Sequence, residues 1–474
     1  MKKYLTTPVY YVNDIPHIGH AYCTLATDTL ARYWRMKLGK ENVFFLTGVD
    51  ENSQKTVDAA KQSGKDVPTY LDEMAGIWEK TWKDVGVQFD DFIRTTEGRH
   101  QKTVHAILTK IHDKGDIYKG KYEGKYCTGC ETFLKDSDLD EFGNCPDHKR
   151  KPDVIQEDNY FFKLSAYENQ LLKLYEKNSN FLLPESRKNE VVSFIHSGLE
   201  DVSISRENGE VGIPLPWDEN HKVYVWFDAL LNYYSAIDTD ERRDLWKSAT
   251  HIIGKDITRF HCVIWPAMLL SAGIEPPQEV FAHGFFTVNG EKMSKSLGNV
   301  ISPVEIAEKY GNDALRLGLL SSFEFGNDGD FSMENFDDFY RTKLAGGVGN
   351  LFNRVIVLIH KFLDGAKPEG SSAIKGADLQ KFEELMEANK LKTAIDHYFS
   401  VVSSANELLN ETQVWTMAKT DLEGAKKVFA TLLQKLETLS QMAEVLLPET
   451  QPKMKAMLGD EKKVGPAEIL FVRP

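Results

Sequence analysis

The chain has 474 residues, 42% hydrophobic and 27% charged, which excludes a largely disordered polymer and suggests about three domains at roughly 150 residues each. Fifty-seven basic residues against 71 acidic ones leave a net charge of −14, which argues against indiscriminate binding to polyanions. Residues 341–474 hold 18 basic and 17 acidic residues, so the whole deficit lies in the first 340 positions, which carry −15, and a nucleic acid would have to be held by local patches.

Tyr4–Val12, rich in Val, Tyr and Thr, predicts a first strand, and Asn13–Pro16 predicts a turn. Ile18, Tyr22, Leu25, Leu30 and Trp34 follow at the spacing of a helix with one buried side, stopped by Gly39. Asn42–Val49 suits a buried parallel strand, and strand–helix alternation to about residue 115 implies a doubly wound α/β sheet. Asn13 and Asp14 interrupt the N-terminus before a signal-peptide core could form, so a cytoplasmic protein is expected.

His17-Ile18-Gly19-His20 falls where the first strand hands over to its helix. Free backbone N–H groups and the helix dipole favour phosphate there. Gly19 permits a close approach, and two imidazoles can donate to phosphate oxygens. The pattern His-x-Gly-His arises by chance in roughly one chain of this size in twenty, so alone it decides nothing.

From 119 to 216 the pattern breaks into short pieces carrying Gly, Asp and Cys, which predicts an insertion that splits the nucleotide-type domain. Within it stand Cys127-Thr-Gly-Cys130 and, after fourteen intervening residues, Cys145-Pro-Asp-His148. Two such arms can each wrap one side of a metal, and Cys₃His matches one tetrahedral zinc, structural because four protein ligands leave no open position. Cys23 and Cys262 sit among apolar residues and are expected in the core, which excludes a secreted disulfide framework.

The α/β rhythm resumes with strands at Lys222–Phe227, His251–Gly254 and Glu279–Val288, and helices at Asp228–Ala236 and up to Leu270. The longest apolar run, Cys262–Leu270, contains Pro266 and is too short to span a bilayer. After the turn Asn289-Gly290 comes Lys292-Met293-Ser294-Lys295-Ser296, two lysines and two hydroxyls on a loop, suited to a triphosphate whose charge moves during reaction. A fixed five-residue word arises by chance in roughly one such chain in several thousand, so together the two words form a strong signal. Beyond Pro303 the chain reads as helical, with amphipathic runs near 336–363, 391–412 and 421–446 and a Gly/Ser linker at 368–376.

With His-Ile-Gly-His early and Lys-Met-Ser-Lys-Ser late on a split α/β domain, the chain resembles a class I aminoacyl-tRNA synthetase. Pro8–Asn13, Gly48–Glu51, Val223–Ala229, Gly254–Asp256 and Phe260–Pro266 narrow the resemblance to the methionyl-tRNA synthetase family, over essentially the whole chain. The insertion is also small for the editing domain of relatives that charge leucine, isoleucine or valine.

The resemblance implies a split Rossmann-like catalytic domain in halves 1–118 and 217–300, with the zinc-knuckle insertion 119–216 between them. It further implies a stem-contact segment 301–340 and an all-α anticodon-binding bundle at 341–474. The implied activity is formation of methionyl-adenylate from L-methionine and ATP, with Mg²⁺ on the phosphates, and transfer of the methionyl group to the 3′ end of methionine tRNA. His17, His20, Lys292 and Lys295 would be catalytic, and with Gly19, His283 and Ser294 they would bind ATP. Pro8, Val9, Tyr11, Asp50, Trp226, Ala229, Tyr233, His261 and Trp265 would hold methionine, with Asp50 on the ammonium group and aromatic walls around the thioether. Asn350, Arg354 and Trp415 would read the anticodon by hydrogen bonding and stacking. Asn52-Ser53 departs from the family's usual His-Gly, and Val414 stands where Pro is frequent. The chain ends without room for the C-terminal domain that dimerises some relatives, so a monomer is expected.

Overall fold

The computed structural model describes residues 1–472 except 131, 135, 208–210, 289, 294–298 and 372–375. The first half of the main sheet runs β1 (Lys3–Tyr11), α1 (Ile18–Leu38), β2 (Val43–Asp50), α2 (Gln54–Ser63), α3 (Val67–Asp84), β3 (Asp91–Arg94) and α4 (Gly98–Asp113). β2 is buried at every position, as a strand covered on both faces must be.

The insertion opens with β4 (Ile117–Cys127), β5 (Thr132–Leu134) and β6 (Asp153–Phe162), and continues with α5 (Glu168–Lys177), β7 (Leu182–Leu183), α6 (Glu185–His196), β8 (Val202–Ser203), β9 (Ser205–Glu207), β10 (Pro214–Leu215) and β11 (Asp218–Val223). β4, β5, β6 and β8 form one antiparallel sheet, and β9, β10 and β11 another. β7 returns to the main sheet, parallel to β13 (Glu279–His283), so the stretch 119–216 is not wholly outside the catalytic layer.

The second half contains α7 (Val225–Ala229), α8 (Asn232–Ser235), β12 (Ala249–Gly254), a π-helical turn at Phe260–Ile264, α9 (Trp265–Ser271) and β13. The main sheet has the order β3-β2-β1-β12-β13-β7, and every pair is parallel. The chain leaves β1 toward β2 on one side and returns beside it as β12 on the other. That reversal opens a crevice at the strands' C-terminal ends, where open α/β sheets bind ligands.

Two expected strands differ. Lys222–Phe227 ends as a strand at Val223, because Phe227 N–H donates to the Tyr224 carbonyl (2.8 Å) and turns the chain into α7. Glu279–Val288 splits into β13 and β14 (Phe286–Val288), because Asp328 captures the Phe285 N–H (2.8 Å) and turns the chain away from the main sheet. β14 pairs with β15 (Glu291–Lys292) and with β16 (Gly329–Phe331), on either side of α10 (Pro303–Tyr310) and α11 (Asn312–Leu320).

Helices complete the chain: α12 (Met333–Phe339), a π-helical stretch at Tyr340–Gly349, α13 (Asn350–Leu363), α14 (Ala377–Glu387), α15 (Leu391–Thr412), α16 (Val414–Thr420), α17 (Leu422–Leu446) and α18 (Gln451–Leu458). The three amphipathic runs fall on these helices, and linker residues 372–375 lie outside the described residues. One apolar core joins α1 and α3 to α11 and the C-terminal helices, and a second lies under α4, α5, α6 and α9. Cys23 and Cys262 are buried, as expected.

Candidate active site

His17 caps α1, its Nδ1 accepting the Gly19 N–H at 3.1 Å, and His20 Nδ1 accepts the His17 N–H at 3.3 Å. Both Nδ1 atoms are acceptors, so each ring carries its proton on Nε2 and can donate there. The rings stack at 3.8 Å between centroids, and His20 rests against Tyr10 and Trp78. Burial lowers His17 to about 4, and burial with the neighbouring His17 holds His20 well below the usual range. The pair is therefore neutral at pH 7.

The late loop meets this helix start. A Cβ on Gly19 would lie 2.9 Å from the His17 ring and 3.0 Å from Met293 Cε, so a larger residue there would have to push the two motifs apart. Ile18 N–H donates to the Ile301 carbonyl at 3.0 Å. Lys292 belongs to β15, opposite Thr287, while Ser294 and Lys295 lie outside the described residues. His283 ends β13 and packs edge-on to Tyr22, with burial lowering it to about 4.

The expected methionine residues gather beside the same crevice. Parallel register sets Tyr11 opposite Asp50, and the β1 ladder shifts between Thr6 and Val9, where Pro8 has no N–H to pair. Asp50 is buried at the end of β2 and accepts from Asn52 N–H (3.0 Å) and Thr95 Oγ1 (3.3 Å). Trp226 stacks on Phe260 at 3.8 Å and stands edge-on to His261. His261 Nδ1 lies 3.0 Å from the Ile257 carbonyl and must donate, so its Nε2 accepts the Tyr233 hydroxyl at 2.7 Å. Ala229 is buried on α7, and Trp265 is fully buried behind Tyr233, at 6.2 Å between rings.

His251 was missed by sequence reasoning. It is fully buried on β12, stacks on Tyr233 at 4.1 Å, accepts from Trp265 Nε1 at 3.4 Å and lies 2.8 Å from Thr6 Oγ1. Its one sequence signal is an imidazole inside a short, mostly apolar strand.

Burial lowers His261 and His283 to about 4 and His251 well below its usual 6.5. Between pH 6.5 and 4 the unfolded chain takes up protons that the folded chain refuses, so stability falls as pH drops through that window. Each of His261 and His283 contributes on the order of 3 kcal/mol across it. Buried Glu51 and Glu279, whose carboxyls burial pushes up, offset part of this. Urea midpoints are expected to fall steadily from pH 7 to pH 4.5, and a flat profile would contradict the neutral histidine cluster.

The four expected zinc ligands come together. His148 Nδ1 lies 3.3, 3.7 and 3.9 Å from the sulfurs of Cys130, Cys145 and Cys127, and Cys130 and Cys145 sulfurs are 3.5 Å apart. Tetrahedral zinc, with bonds of about 2.3 Å to sulfur and about 2.0 Å to nitrogen, spaces its ligands by roughly 3.5–3.8 Å, so the residues fit the ion. Gly129 lies under the imidazole, where a Cβ would come within 2.5 Å of the ring. Cys145→Ser is expected to lose one equivalent of zinc by elemental analysis; unchanged metal content would remove this reading.

On the helical side, Asn350 and Arg354 lie one turn apart on α13, and the Arg354 guanidinium sits 4.7 Å from the Trp415 ring on α16. Arg354 also reaches Asn410 Oδ1 at 3.4 Å. Val414 turns into the core, so the departure beside Trp415 is absorbed by packing.

A split parallel sheet with an imidazole pair on its first helix, met by a late lysine-bearing loop, defines a class I aminoacyl-tRNA synthetase. Residues 3–151 and 143–356 match the family model described as tRNA synthetases class I (M), and residues 371–470 match that of the anticodon binding domain of methionyl tRNA ligase. The chain belongs to the methionyl-tRNA synthetase family. It is 43% identical to a methionine–tRNA ligase of Thermotoga maritima over 94% of this chain and 73% of that one, and 39% identical to one of Streptomyces coelicolor over 98% and 90%. Mycobacterium tuberculosis methionyl-tRNA synthetase in complex with methionyl-adenylate superposes with a TM-score of 0.92 at 33% identity, covering all of both chains.

Proposed function

We propose that this chain is a methionine–tRNA ligase: it joins L-methionine to ATP as methionyl-adenylate, releases pyrophosphate, and passes the methionyl group to the 3′ end of methionine tRNA. The observation that carries this reading is the meeting of Gly19 and Met293 beside two neutral imidazoles at the reversal point of the sheet. In the first step a methionine carboxylate oxygen bonds to the α-phosphorus as the bond to the β-phosphate oxygen breaks. In the second, a ribose hydroxyl of the terminal adenosine takes the carbonyl carbon and AMP departs. Neither step needs a covalent nucleophile on the enzyme, because positioning and fixed donors supply the rate.

His17 and His20 donate Nε2–H to the α-phosphate oxygens without bringing a charge that would hold the ground state. Lys292 and Lys295 take the departing pyrophosphate, with Ser294 and His283 beside the nucleotide, and Mg²⁺ bound with the phosphates would supply screening of the triphosphate charge. Asp50 pairs with the ammonium group, while Tyr233, spending its proton on His261, offers the thioether an apolar, polarizable wall with Trp226. Tyr11, Ala229 and Trp265 complete that wall, and Pro8 and Val9 supply backbone. Cys127, Cys130, Cys145 and His148 would hold one structural zinc, which would staple the knuckle. Among the described residues no helix is long and apolar enough to cross a membrane.

ATP–pyrophosphate exchange with each of the twenty amino acids tests the reading: exchange is expected with methionine, and exchange driven by a different amino acid alone would overturn it. Arg354 and Trp415 form the platform for an anticodon base. Trp415→Ala is expected to lower tRNA charging about fivefold or more, given about 1–3 kcal/mol per stacked base, with exchange unaffected. Undiminished charging would remove the anticodon assignment.

A further inference from the structure

A chain of buried polar groups crosses the two halves of the catalytic sheet and takes no part in the steps above. Asp228 on α7 is fully buried, and its Oδ1 lies 2.6 Å from Nε2 of equally buried His100 on α4. His100 Nδ1 lies 2.9 Å from Ser235 Oγ, which donates to the Leu231 carbonyl. The second oxygen of Asp228 accepts from Asn52 Nδ2 at 2.6 Å, across 176 positions of chain. The Thr95 carbonyl, 3.4 Å from the same Nδ2, is also an acceptor, so the amide orientation is fixed.

Asn52 therefore faces both walls of the amino-acid site. Its backbone N–H holds Asp50 Oδ1 at 3.0 Å, on the side expected to take the ammonium group. Its side chain holds Asp228, two residues from Trp226 and next to Ala229, on the side expected to take the thioether. A hydrogen bond to a carboxylate is short and strong, and a buried carboxylate deprived of a donor is costly. Lost here, that bond leaves the second oxygen of Asp228 without its donor while His100 still holds the first, and it removes the direct tie between α7 and the end of β2.

We propose that Asn52 is a positioning residue, which sets the distance between the carboxylate that holds methionine's ammonium group and the helix that walls its side chain. The inference rests on the methionine-activating function proposed above. It assigns a role to a position where the chain departs from the family's common His.

Exchange kinetics on the full-length chain test it. Asn52→Leu removes the donor at similar volume and is expected to raise the methionine KM about tenfold or more, with the ATP KM within about twofold. Asn52→His, which restores a ring N–H, is expected to recover most of that loss. If the leucine variant does not fold, Asn52→Asp, which keeps the shape but turns an acceptor toward Asp228, is expected to show the same selective rise. A methionine KM within about twofold of wild type, a loss confined to kcat, or an equal rise in the ATP KM overturns the proposal. Absence of methionine-dependent exchange in the wild-type chain overturns the activation reading instead.

Discussion

His20→Ala is expected to slow adenylate formation by about 10²–10³-fold while leaving methionine affinity within a few-fold, the cost of removing one fixed donor from a developing charge. The ring is held from three directions: its Nδ1 by the His17 N–H, one face by the His17 ring, and its flank by Tyr10 and Trp78. Trp78 is itself anchored, its Nε1 donating to the Asp14 carbonyl at 2.9 Å. Nothing has to reorganise for Nε2 to donate when the phosphorus centre becomes crowded with charge. Rapid-quench measurement of adenylate separates this loss from binding. A Gln replacement, which keeps a donor on a looser stem, should fall between wild type and alanine. A loss below tenfold for the alanine variant would mean the phosphate is held elsewhere.

Arg316→Met is expected to cost about 3–5 kcal/mol, the penalty of leaving a buried partner charge behind. Arg316, on α11, is 1% exposed and pairs with fully buried Asp28 of α1 at 2.6 Å. Its other nitrogen reaches Thr29 Oγ1 at 2.9 Å, and the Leu25 and Gly86 carbonyls lie within 3.4 Å of the guanidinium. Burial pushes the Asp28 carboxyl up, but the guanidiniums of Arg316 and Arg32 outweigh it and hold it below the usual range. Urea unfolding measures the loss. Arg316→Lys, which keeps the charge but not the planar fork, should lose less than methionine does. A penalty under about 1 kcal/mol for the methionine variant would show that Arg32 alone satisfies Asp28.

The order of strands and helices around β1, α1 and β2 was legible because apolar runs and capping residues act locally. The zinc ligands were legible for the same reason, since both arms of the knuckle are short words. Lys222–Phe227 misled because a β-branched and aromatic run also suits a buried helical turn, here closed by the Phe227 N–H on the Tyr224 carbonyl. The return of β7 to the main sheet could not be read, since two leucines carry no periodicity. Tyr233 and His261 were found through the family resemblance, whereas His100 depends on neighbours more than a hundred positions away, and His251 on a bond to Thr6 across 245 positions as well as on Tyr233 and Trp265. Asn52 was visible as a departure, but its bond to Asp228 exists only once the two halves of the sheet are assembled.

The apolar core beneath α1 runs without interruption into α15 and α17, and Asp313 on α11 accepts the N–H groups of Glu449 and Thr450 at the turn before α18. A chain severed near residue 340 would thus strip α1 of its covering and leave Asp313 with two lost donors. The half expected to perform the chemistry and the half expected to read the tRNA share that core, so an excised catalytic fragment is expected to be less stable than the whole chain, seen as a lower urea midpoint.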